Sequence, residues 1–98
     1  MGLRQGFLVS GDSMSPTLND GDVVLIDPKA ALAAGDIVLA RHPYKKSVRV
    51  LKRIDSIDGQ HRFWLVGDNQ GESSDSRMFG SVSKADLLGK VTSRLRIR

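Results

Sequence analysis

A chain of 98 residues with 40% hydrophobic and 27% charged side chains has the balance of one globular domain. It holds no cysteine, which excludes disulfides and thiolate metal sites. The formal net charge of +4 leans toward acidic partners, and no apolar run approaches the ~20 residues of a membrane helix. The start carries Arg4 and Gln5 and is too short for a secretory leader. These features predict a single domain over residues 1–98, cytoplasmic and without stable membrane insertion.

In chain order, short β-like runs separated by turn signals dominate. Residues 7–9 lead into a Gly11-Asp12 turn. Asp20-Gly21-Asp22 precedes a run at 23–26, and Gly35-Asp36 precedes another at 37–40. Residues 47–54 read as a longer strand, and Asp58-Gly59 as the turn of a hairpin to 62–66. Residues 92–97 alternate and close the sheet. Helix is scarce. Residues 28–34, with Pro28 at the first position and Gly35 as the stop, fit one turn. Residues 83–86, with Ser83 as cap, fit another. Residues 68–80 are polar and aperiodic, and a loop that long in a compact domain is functional or disordered. The pattern is a small β-rich domain with hairpins.

Alternation from Ser47 puts Val48, Val50, Lys52 and Ile54 on one strand face, with Arg49, Leu51 and Arg53 on the other. The face of Lys52 is the better core candidate. Arg49 and Arg53 then point outward, with Leu51 as the exception. The basic residues concentrate at Lys45, Lys46, Arg49, Lys52 and Arg53, and again at Arg94, Arg96 and Arg98. The ordinary reading of both groups is a solvated face or a charged edge. Aromatics are 5% of the chain, too few for stacking platforms, and no nucleic-acid motif is present. No nucleic-acid partner is expected.

A serine hydroxyl is a poor nucleophile until a base takes its proton. Lysine can be that base only when neutral, and its reference pKa is about 10.4. An apolar strand face supplies the desolvation that lowers it. Lys52, flanked by Val50 and Ile54, has that setting. Ser13 lies in a Gly11-Asp12-Ser13 turn, where Gly11 permits a tight bend exposing the serine and its amide. That amide could receive an oxyanion. The ordinary readings are a turn serine that caps a short helix begun at Pro16, and a lysine that snorkels to solvent.

Taken together, these segments resemble a known family. Gly11-Asp12-Ser13-Met14-Ser15-Pro16-Thr17-Leu18 is similar to the nucleophile box of type I signal peptidases. Val50-Leu51-Lys52-Arg53-Ile54 is similar to their general-base box. Gly67-Asp68-Asn69, with Ser73-Ser74-Asp75-Ser76-Arg77 and Gly80, is similar to their C-terminal box. Self-cleaving repressor domains of the LexA kind share the Ser/Lys pair but lack the third box. The resemblance implies a coiled β-ribbon, a small partly open barrel like the signal peptidase and LexA catalytic domains. It implies Ser13 as nucleophile, Lys52 as general base, Ser73 as the serine orienting the lysine, and the Ser13 amide as one oxyanion donor. Asp75 and Arg77 match a supporting ion pair. Gly11, Asp12, Met14, Asp68 and Asn69 match architectural positions. No metal or cofactor is implied.

Within that family, the short length and the Ala40-Arg41-His42-Pro43 segment resemble the nickel-type superoxide dismutase maturation proteases. This implies a substrate: a nickel superoxide dismutase precursor that loses an N-terminal extension. Three alternatives stand beside it. One is the catalytic core of a membrane-anchored type I signal peptidase. Another is a non-catalytic LexA-like or basic nucleic-acid-binding β module. The last is a GDS-type lipase with an Asp58–His61 dyad, disfavoured because strand–helix alternation is missing.

Overall fold

The computed structural model describes residues 4–69, 71 and 75–95. Seven antiparallel strands form one sheet that curls into an open half-barrel. They are β1 (Gln5–Leu8), β2 (Val23–Asp27), β3 (Ile37–Arg41), β4 (Arg49–Ile57), β5 (Arg62–Val66), β6 (Val82–Ser83) and β7 (Leu87–Leu95). The spatial order is β1-β2-β7-β3-β4-β5-β6. The C-terminal strand β7 therefore sits between two hairpins, β1–β2 and β3–β4. One helical turn, α1 (Ser76–Phe79), follows β5, and a 3-10 turn (Lys84–Asp86) precedes β7. The all-β expectation holds.

Two apolar clusters flank the sheet, and the strand period of two explains both. In β3, Leu39 joins Val9, Met14, Leu18, Val24, Ile26 and Leu51. Its neighbours Val38 and Ala40 join Ile54, Phe63, Leu65, Phe79 and Val82 on the other side. Burying each such side chain contributes roughly 1.5–3 kcal/mol. Leu51 is thus no exception on β4: both faces of that strand are covered. Val50 packs against the second cluster and Ile54 belongs to it, so the face shared with Lys52 is apolar.

Several local expectations are corrected. Residues 28–34 form turn and coil, not helix. Pro16 starts no helix: the Ser15–Pro16 peptide is cis and residues 13–17 are turns. Within 68–80, α1 forms because the Asp75 carboxylate accepts from the Arg77 amide at its start. The 3-10 turn at Lys84–Asp86 exists, but Ser83 makes no side-chain capping bond. Strand β7 begins well before residue 92. Gly89 interrupts the apolar pattern there, and a Cβ at Gly89 would lie 2.5 Å from Ile26 Cγ2. Beside it, β3 and β7 slip register between Leu39 and Ala40, which pair with Gly89 and Leu87, so glycine permits a close approach to β2 next to a bulge.

Candidate active site

The β1–β2 connection carries Ser13 in a tight turn. Gly11 takes φ +84°, a region that favours glycine, and its amide donates to Asp20 Oδ1 at 2.8 Å. The Ser15 amide donates to the Asp12 carbonyl at 3.1 Å, and the Leu18 amide to the Met14 carbonyl at 2.9 Å. Met14 and Leu18 are buried in the first cluster. They pin the turn to the core, with Ser13, next to Met14, half-buried.

The segment after β5 clasps this turn. The Asn69 amide donates to the Ser13 carbonyl at 2.9 Å, and Asn69 Nδ2 to the Asp12 carbonyl at 3.1 Å. Thr17 Oγ1 donates to Asp68 Oδ2 at 2.6 Å. Asp68 in turn accepts two bonds from Arg53, at 2.8 Å and 2.7 Å. Arg53 also donates to the Gly35 carbonyl. The Arg53 bonds hold the Asp68 carboxyl below the ordinary carboxylate range; partial burial opposes this and Thr17 adds to it. Arg94 donates to the Thr17 carbonyl. Asp68 and Asn69 bridge to the turn, and Asp68 also ties it to β4.

Lys52 sits on β4 opposite Val38 of β3 and is 3% exposed. Burial pushes its pKa below the usual lysine value; the Asp75 charge opposes that, and Arg77 reinforces it. Asp75 is fully buried. It accepts from the Gly67 amide at 3.0 Å and from the Arg77 guanidinium at 2.9 Å and 2.7 Å. Burial pushes the Asp75 carboxyl up, but Arg77 and the two backbone amides outweigh it. The net effect holds Asp75 well below the usual carboxylate range.

The structure therefore gathers the three sequence segments. Ser13, Met14 and Gly11 share a cavity of about 110 Å³ with Val50 and Leu51, the residues preceding Lys52. Asp75 and Arg77 act electrostatically on Lys52. Ser13 Oγ and the Ser13 amide make no hydrogen bond among the described residues, so no such bond joins Ser13 to Lys52 here. Ser73 lies outside the described residues. His61 sits at the far hairpin with φ 60°, where its amide donates to the Asp58 carbonyl. Thr17, Arg53 and Arg94 were missed as site residues. The signal for Arg53 was present, next to Lys52, but a run of cations reads first as solvated surface.

Residues 6–92 match the family described as "Peptidase S24-like". Mitochondrial inner membrane protease subunit 1 of Xenopus tropicalis is 32% identical over 90% of this chain and 66% of its own length. The subunit 1 of Schizosaccharomyces pombe is also 32% identical, over 95% and 74%. Subunit 2 of Danio rerio is 32% identical, over 86% and 60%. The chain thus spans about two thirds of the length of these relatives. They overturn the cytoplasmic expectation, because they are named for a membrane. That expectation rested on the lack of an apolar run in this sequence, and it took in the expectation of no membrane insertion. Among the described residues no helix is long and apolar enough to cross a membrane, which does not locate a chain whose relatives are longer.

Proposed function

Because the chain belongs to the Peptidase S24-like family, we propose that it is a signal-peptidase-like serine endopeptidase working through Ser13 and Lys52. It removes an N-terminal extension from a precursor protein, as the catalytic part of a membrane-associated processing protease. The observation that carries this reading is Lys52: a buried lysine with a lowered pKa, on the strand whose preceding residues share a cavity with Ser13. A buried cation is costly, and active sites are where that cost recurs.

Neutral Lys52 takes the proton from Ser13 Oγ, which attacks the scissile carbonyl. The unused Ser13 amide receives the oxyanion. Lys52, now protonated, gives its proton to the leaving amine, leaving an acyl-enzyme. It then activates water to release the acid. The missing Ser13 hydrogen bond is compatible with this order, since catalytic bonds commonly tighten only when substrate is bound. Ser73 orients the lysine in this scheme, and the Asp75–Arg77 pair supports the segment that carries it. Substrate adds as an extended strand along the open edge of β1, where main-chain bonds supply affinity.

The relatives are named for a membrane, which supports a membrane-associated protease over a dismutase maturation protease; a membrane-associated precursor is the substrate of this reading. His42 of the Ala40–Pro43 segment has a local task instead: its Nδ1 accepts from the Tyr44 and Lys45 amides. The test incubates wild type, Ser13→Ala and Lys52→Ala with both kinds of precursor and reads intact mass. Wild type is expected to cut one N-terminal bond of the membrane-associated precursor, with loss of at least about 10³-fold in either variant. Full-rate cleavage by Ser13→Ala sinks the reading. Cleavage of the dismutase precursor alone restores the narrower substrate.

A further inference from the structure

The basic residues around β4 look alike in sequence and have separate fates in the structure. Lys46 pairs with Asp86 at 2.9 Å and Arg53 with Asp68 at 2.7 Å. Lys52 is buried. Arg49 is exposed, and no carboxylate pairs with it among the described residues. Its guanidinium stacks 5.2 Å from the Phe7 ring centroid, a contact that leaves the edge donors open. Its partner in the β3–β4 register is another cation, Arg41. Arg49 also lines the cavity that holds Ser13, and among the described residues it is the only charged one doing so.

Phe7, Val9, Met14 and Leu51 make the rest of that cavity mostly apolar, and about 110 Å³ admits one short side chain. A guanidinium fixed over a ring, at the lip of an apolar cavity, offers two parallel donors to a planar anion. Resting on Ser13 being the nucleophile, we propose that Arg49 is a specificity-determining residue that selects a substrate with an acidic side chain beside the cleaved bond. The carboxylate enters the cavity mouth from the residue before that bond, or from two residues earlier. In an extended peptide those two positions face the same wall.

Matched peptides carrying Asp, Asn or Lys at either position separate this from simple solvation of Arg49. Wild type should favour Asp over Asn by about tenfold in kcat/KM, the scale of one charge-assisted pair. In Arg49→Gln the ratio should fall to about one, and Arg49→Glu should favour Lys instead. A wild-type ratio near one, or a ratio unchanged in Arg49→Gln, overturns the proposal. Cleavage of the Asn peptide that is lost in Ser13→Ala upholds the protease reading in either case. If wild type cuts none of the peptides, the same peptides are titrated into Ser13→Ala, with and without Arg49→Gln, by NMR. Acid-selective shifts at Phe7 that vanish without Arg49 then support the subsite, and equal shifts for Asp and Asn refute it.

Discussion

Lys52 gives up most of its water on a strand face it shares with Val50 and Ile54, opposite Val38 and within the fields of Asp75 and Arg77. That burial lowers its pKa, so the folded chain sheds this proton at lower pH than the unfolded one. Between the lowered value and about 10.4 the unfolded state holds more protons, and stability rises with pH. Replacing Lys52 with Met removes the burden while keeping the volume. Lys52→Met should be inactive yet more stable at neutral pH by about 1 kcal/mol, a Tm gain of about 4–8 °C. The gain should shrink as pH approaches 10. Thermal melts at pH 7 and pH 10 check this; a variant less stable at both would mean the charged lysine stabilises the fold. The pairing of Lys52 with an apolar face was legible because alternation needs only a strand. The burial of Leu51 was not, since one strand cannot show that its other face also has a cover.

Among the elements, α1 has four residues and depends on one carboxylate. Asp75 caps it, chelates Arg77 and satisfies the Gly67 amide. Asp75→Ala loses the cap and strands a buried N–H, which together should cost about 3 kcal/mol. Asp75→Asn keeps an acceptor and should cost less. The Asp75 pKa is depressed in the fold, so its contribution is complete above about 4 and is lost only as pH falls through the lower folded value. The advantage of wild type over Asp75→Asn should therefore persist at pH 6 and close in strong acid. Urea titrations across that range measure it, and a pH-independent difference would contradict the assignment. Residues 68–80 looked featureless because a one-turn helix has no periodicity to read. Asp75 and Gly80 bracket it, but such residues mark turns just as often. The 58–61 hairpin likewise had its turn residues visible, yet the left-handed conformation falls on His61, beyond Gly59.

Across the whole molecule, the sheet joins segments that are far apart in sequence. Met14 and Leu51 pack in one cluster, Asp68 bridges Thr17 to Arg53, and Arg94 of the last strand reaches the Thr17 carbonyl. The order of the three motif segments was visible in the sequence. The bonds between them depend on strand order, above all on β7 inserting between β2 and β3, and no local pattern encodes that. The +4 net charge also reads differently once folded. Ion pairs absorb several cations, and Arg49 is left at the cavity. Ser13 and Lys52 together form the proposed chemical unit. The most direct measurement is acylation of the protein by a peptide active ester, followed by intact mass and peptide mapping across pH 6 to 10 for wild type, Ser13→Ala and Lys52→Met. The Ser13/Lys52 unit should give one adduct on Ser13, formed faster as pH rises toward the lowered pKa of Lys52, absent in Ser13→Ala and slowed at least about 100-fold in Lys52→Met. Equal acylation of Ser13 in Lys52→Met, or a wild-type rate that ignores pH, would contradict it.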